Sequence, residues 1–119
     1  MQYAVLLYAD SSLETGPEGT EWSASLPAHQ AFGKRLEERG FESSGAPLHS
    51  VRTSTCLRIR DGEKLITDGP FAETKEQLWG FYLVEAPDLD AVLDVTADLW
   101  EAHHGTVEVR PCVPKPADA

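Results

Sequence analysis

The chain has 119 residues, 41% hydrophobic and 25% charged, with twenty acidic against ten basic side chains and a formal charge of −10. That length holds one domain with one core, placed at residues 1–112, with 113–119 as a tail. An acidic surface with no basic run argues against nucleic acids and anionic membranes as partners. No apolar run reaches the length of a bilayer span, and the amino terminus opens on a strand pattern, not a signal sequence. Cys56 and Cys112 lie outside any CxxC or Cys/His cluster, which fits a reducing, cytoplasmic setting.

Gln2 to Tyr8 is an apolar run of strand length with apolar residues on both faces, the mark of a central strand. The polar stretch from Asp10 to Glu21 reads as a loop. A helix follows over about Ser23 to Arg39, with Trp22, Leu26, His29, Gly33 and Leu36 on one stripe, Phe32 at its edge and Gly40 as its stop. Residues 41–52 read as a second loop. Thr53 to Arg60 alternates as a strand, and Asp61-Gly62 is a strong hairpin signal joining it to Glu63–Thr67. Trp79 to Glu85 is the next strand. Asp88 caps a second helix whose buried stripe is Leu89, Val92, Leu93, Thr96, Leu99 and Trp100, ended by Gly105, and Thr106 to Arg110 is the last strand.

This β-α-β(hairpin)-β-α-β order predicts an α+β, ferredoxin-like split βαβ fold with an antiparallel sheet. The reading places Ala4, Leu6, Tyr8, Tyr82 and Val84 on the sheet face without helices, where a homodimer would cover them.

Between the hairpin and the Trp79 strand lies Asp68-Gly69-Pro70-Phe71-Ala72-Glu73-Thr74-Lys75-Glu76-Gln77-Leu78. Gly69-Pro70 stops the preceding strand, and Asp68 just before it can accept backbone hydrogen bonds as a turn residue does. With Gly80–Glu85 and Val107–Pro111, this run resembles the DGPF (DGPFAETKE) branch of the YCII-related domain family across nearly the whole chain. The resemblance implies a dimeric α+β barrel. It matches His29 to the histidine of the family's pocket and makes the corner carboxylate Asp68 its expected partner. The segment Asp98 to Gly105 offers no aspartate that matches the family's second pattern. Trp79 stands where relatives carry a glycine, and either caps or fills the cavity. Relatives' genes often neighbour those of extracytoplasmic-function sigma factors.

Each candidate has a plain structural role beside its functional one. His29 fits a buried, hydrogen-bonded histidine or an acid/base group oriented by Asp68. Tyr8 and Tyr82 fit packed tyrosines or hydroxyls supplied to a cavity, with Phe71 and Trp79 as further lining residues. Arg110 fits a strand-registering ion pair with Glu108 or a clamp for an anionic ligand. His103 and His104 are adjacent on a helix and point apart, which argues against a metal site. The expected activity is a cofactor-independent small-molecule enzyme built on His29 and Asp68. The alternatives are a non-catalytic ligand-binding or regulatory module and a structural dimer with a filled interior.

Overall fold

A computed structural model describes residues 1–10, 20–69 and 75–116. Four strands form one antiparallel sheet: β1 (Gln2–Asp10), β2 (Ser43–Pro47), β5 (Glu76–Glu85) and β6 (Thr106–Pro111), in spatial order β2-β5-β1-β6. Two further strands, β3 (Thr55–Arg60) and β4 (Glu63–Asp68), pair only as a hairpin. The helices are α1 (Thr20–Glu38), α2 (Leu89–Thr96) and α3 (Trp100–His104).

One edge strand is β2, a segment expected from sequence to be loop. Ser-Ser-Gly-Ala-Pro carries no strand signal of its own, and pairing with β5 imposes the conformation. Gly45 makes that pairing possible, since a Cβ there would sit 2.2 Å from the Phe81 carbonyl oxygen. The hairpin is therefore an excursion between β2 and β5, not the sheet's edge. Its turn is as expected, with Asp61 and Gly62 at φ 53° and 77°, the left-handed pair of a type I′ turn.

Sheet register decides which side chains meet the helices. Tyr3, Val5, Leu7 and Ala9 of β1 are buried. Opposite the first three stand Val84, Tyr82 and Gly80. Directly paired residues share a face. Tyr82 and Val84 thus lie under the helices, which corrects their expected placement on the open face. The open face instead carries Ala4, Leu6 and Tyr8 with Leu83, Phe81 and Leu78, joined by Arg110, Glu108 and Thr106 of β6. A bulge between Leu7 and Tyr8 leaves Trp79 as the extra residue of β5 and turns its indole into the core.

The helix ends follow local chemistry. α1 closes in a Schellman motif, with Phe41 N–H donating to the Leu36 carbonyl and Gly40 N–H to that of Glu37. Asp88 caps α2 by accepting from the Ala91 amide at 2.9 Å. The expected single helix up to Gly105 is broken, however: Leu99 is extended at φ −64°, ψ 141°, and α3 restarts after it. Leu89 and Leu93, expected in the buried stripe, are 45% and 47% exposed, while Val92, Val95, Thr96 and Leu99 are buried. Arg35 of α1 braces the break, reaching the Asp98 carboxylate at 2.6 Å and the Asp94 carbonyl at 3.2 Å. No helix among the described residues is long and apolar enough to cross a membrane.

Candidate functional site

The break between α2 and α3 changes the phase of the helical stripe and turns Glu101 inward, where it is fully buried. Its Oε2 meets two nitrogens at 2.8 Å each: Nε2 of His29 and Nε1 of Trp79. The other ring nitrogen of His29, Nδ1, lies 2.6 Å from the Tyr82 hydroxyl. An ionised carboxylate only accepts, so with Glu101 charged Nε2 carries the proton and donates. Nδ1 of the neutral ring then accepts from the Tyr82 O–H. Trp79 donates to the same oxygen and fixes the carboxylate from behind. Glu101 Oε1 is buried with no hydrogen-bond partner among the described residues, a costly arrangement of the kind concentrated at functional sites.

The surroundings are aromatic. The His29 ring lies 5.8 Å from that of Tyr82 in a stacked geometry and 6.0 Å from Trp22. Trp79 packs edge-on to Trp22 and stacks on Trp100. Burial, and next the Glu101 charge, push the Tyr82 hydroxyl up to about 12, so it is a proton-bearing phenol at neutral pH.

His29 and Tyr82 open onto a cleft of about 220 Å³ between α1 and the β2–β5 edge. Its walls include Trp22 and Leu26 of α1, Gly45 and Pro47 of β2, and Gly80 of β5. The helix side of the edge is therefore hollow next to the imidazole, while the rest of that side is filled by Val5, Val84, Phe32 and Leu36.

Of the residues singled out from sequence, this site brings together His29 and Tyr82. Asp68 does not hold the imidazole: both ring nitrogens are taken by Glu101 and Tyr82, and Asp68 is an exposed residue at the end of β4, opposite Thr55. Trp79 neither caps nor lines the cleft. It is 2% exposed and supports Glu101 from the core. Tyr8 and Arg110 lie on the opposite face of the sheet, where both bond Glu108, the tyrosine hydroxyl at 3.1 Å and the arginine Nε at 2.9 Å. The Arg110 bonds, then that of Tyr8, hold Glu108 below the usual carboxylate range. Phe71 lies outside the described residues.

His104 stacks on Trp100, and His103 is bonded to the Ala97 carbonyl. Among the described residues no cluster of three His, Cys, Asp or Glu is placed to hold a metal ion. The residue missed from sequence is Glu101. Its signal was an acidic residue directly after the apolar pair Leu99-Trp100, which a continuous helix would have turned away from the core.

An antiparallel four-stranded sheet with helices on one face defines an α+β domain protein, here with an aromatic-lined histidine site beside a small-molecule-sized cleft. The profile of the YCII-related domain matches residues 1–115, and the chain belongs to that family. It is also 40% identical over 113 residues to an uncharacterised protein of Rhizobium meliloti (strain 1021), covering 93% of this chain and 91% of the relative.

Proposed function

We propose that the cleft hosts acid/base chemistry on a small molecule, without a metal or organic cofactor, with His29 as the proton-transferring group. The observation that carries this reading is the Tyr82–His29–Glu101 chain of hydrogen bonds opening on an apolar cleft. A ligand proton passing to the Tyr82 oxygen is matched by the Tyr82 proton passing to Nδ1, so no free phenolate forms. The imidazolium so produced is stabilised by the Glu101 carboxylate at Nε2, and the reverse sequence returns the proton. Glu101 acts as a positioning residue, setting the tautomer, and Trp79 holds Glu101.

The same reading takes the protein as a homodimer, a dimeric α+β barrel of ferredoxin-like halves in the DGPF branch of its family. Leu6, Tyr8, Leu78, Phe81 and Leu83 share a sheet face with no helix over it among the described residues, and a second sheet would cover them.

A non-catalytic ligand-binding or regulatory role is the second reading. It is favoured by the Tyr82 hydroxyl holding its proton up to about 12, which suits recognition by hydrogen bonding as well as transfer.

Compounds found to bind by ligand-observed NMR, incubated in heavy water with the protein, separate the two. Acid/base chemistry predicts turnover or deuterium uptake at an activated C–H position of a bound compound. His29→Gln should slow it at least ~100-fold while binding persists. Compounds that bind the cleft yet neither react nor exchange would leave the binding role alone.

A further inference from the structure

The β3–β4 hairpin contributes no residue to the site. Its strands pair with each other from Thr55–Asp68 to Arg60–Glu63, and their main contacts are mutual. The register sets Leu57 opposite Ile66 and Ile59 opposite Lys64, so these residues share one face. Leu57, Ile59 and Ile66 are 59%, 60% and 64% exposed. A lone two-stranded hairpin is marginal in water, and a contiguous apolar face on it marks a contact surface. The Cα radius of gyration is 16.2 Å, against about 13.5 Å expected for a compact chain of this length.

We propose that this hairpin is a dimerisation arm whose Leu57/Ile59/Ile66 face packs on a second copy of the chain. The proposal rests on the homodimer reading above. Area argues for that occupant. The strands β2, β5, β1 and β6 have 5, 10, 9 and 6 residues. At ~3.3 Å per residue and ~4.8 Å between strands, their open face spans about 500 Å². A stable interface buries about 800 Å² on each partner. One face of the arm, six residues long and two strands wide, adds about 200 Å². In a two-fold dimer each protomer gains that area twice, once through its own arm and once beneath its partner's. The arms thus enlarge the flat footprint open to a second copy from about 500 to about 900 Å².

Charge argues the same way. From Thr55 to Asp68 the basic residues Arg58, Arg60 and Lys64 equal the acidic Asp61, Glu63 and Asp68 in number, so the formal charge of −10 lies wholly outside the arm. Two such bodies repel, and the arm is the part that approaches an acidic copy without that penalty.

Sedimentation equilibrium of the full chain and of its Ile59→Ser, Ile66→Ser variant tests the proposal, alongside an intermolecular NMR experiment. For the latter, a nitroxide is attached at Glu63→Cys in a Cys56→Ser, Cys112→Ser background, and that protein is mixed with isotope-labelled unsubstituted chain. The arm predicts at least a ~30-fold weaker dimer for the double variant and broadening of amide signals in the labelled copy. A dimer whose affinity stays within about threefold, or whose labelled copy shows no broadening, overturns the arm and leaves the homodimer standing. A monomeric unsubstituted chain overturns both. The nitroxide protein keeps the apolar face intact, so it decides the matter even where the double variant fails to fold.

Discussion

His29 Nε2 lies 2.8 Å from Glu101 Oε2, although 72 positions of chain separate them. The contact joins the middle of α1 to the first turn of α3, and it exists because the chain stops being helical at Leu99 and restarts in a new phase. Trp79 adds a second donor to the same oxygen from β5. Three elements are thus tied at one carboxylate. The imidazole held there faces a cleft that the rest of the packed interior does not fill.

Removing the carboxylate should be costly. Glu101→Ala leaves the His29 and Trp79 donors buried without their acceptor, and a loss of about 3–5 kcal/mol is expected. Glu101→Gln keeps an acceptor oxygen and should lose about 1–2 kcal/mol. Trp79→Phe, which keeps an aromatic ring but removes one donor, should also lose about 1–2 kcal/mol. Urea denaturation of the three variants checks the order, and a Glu101→Ala protein as stable as the parent would deny the carboxylate its structural part.

Alkaline titration should single out Tyr82. Its folded value is raised from 10.0 to about 12 by burial and then by the Glu101 charge. The neutral phenol is therefore the form the fold favours. Its contribution to stability is complete below pH 10 and is lost as the pH climbs through 12. Tyrosinate absorbance followed in the parent and in Tyr82→Phe should show that the variant lacks the phenol titrating near 12. A Tyr82 that ionises near the ordinary value of 10.0 while the protein is still folded would contradict its burial beside Glu101.

At the cleft's outer wall, Gly45→Ala would place a Cβ 2.2 Å from the Phe81 carbonyl oxygen. The edge strand must shift, at a cost of about 2 kcal/mol or more. Amide exchange should show β2 released from β5 while β1 and β6 stay protected. Unchanged protection across β2 would mean that the strand does not depend on that close approach.

On the open face, Leu6→Glu sets a carboxylate amid Phe81, Tyr8 and Glu108, and two sheets could not then meet without burying it. The homodimer reading predicts a monomeric or unfolded variant from a dimeric parent in sedimentation. A parent that sediments as a monomer at micromolar concentration denies the dimer.

What the sequence disclosed was what local chemistry determines. Asp61-Gly62 demands a tight hairpin, Gly40 ends α1, Asp88 caps α2, and the helical spacing of His29 with Trp22 and Phe32 points its ring toward the sheet. What it hid depends on distant partners. Ser43–Pro47 becomes a strand only because β5 lies beside it. Tyr82 and Val84 were rightly read as sharing a face, but only pairing with Val5 and Tyr3 shows which one. Glu101 was hidden because the break at Leu99 has no proline or glycine to announce it. Asp68 stands at a corner marked by Gly69-Pro70, whereas Glu101 belongs to a stretch whose continuous helical spacing would turn it outward.

The most direct test is the tautomer of His29, read from the nitrogen chemical shifts and long-range couplings of its ring in the parent, in Glu101→Gln and in Asp68→Asn. The hydrogen bonds predict a ring proton on Nε2, facing Glu101, and an Nδ1 that accepts from Tyr82. That pattern should be disturbed by Glu101→Gln and untouched by Asp68→Asn. A ring that responds to Asp68→Asn and ignores Glu101→Gln, or one that carries its proton on Nδ1 in the parent, would contradict it.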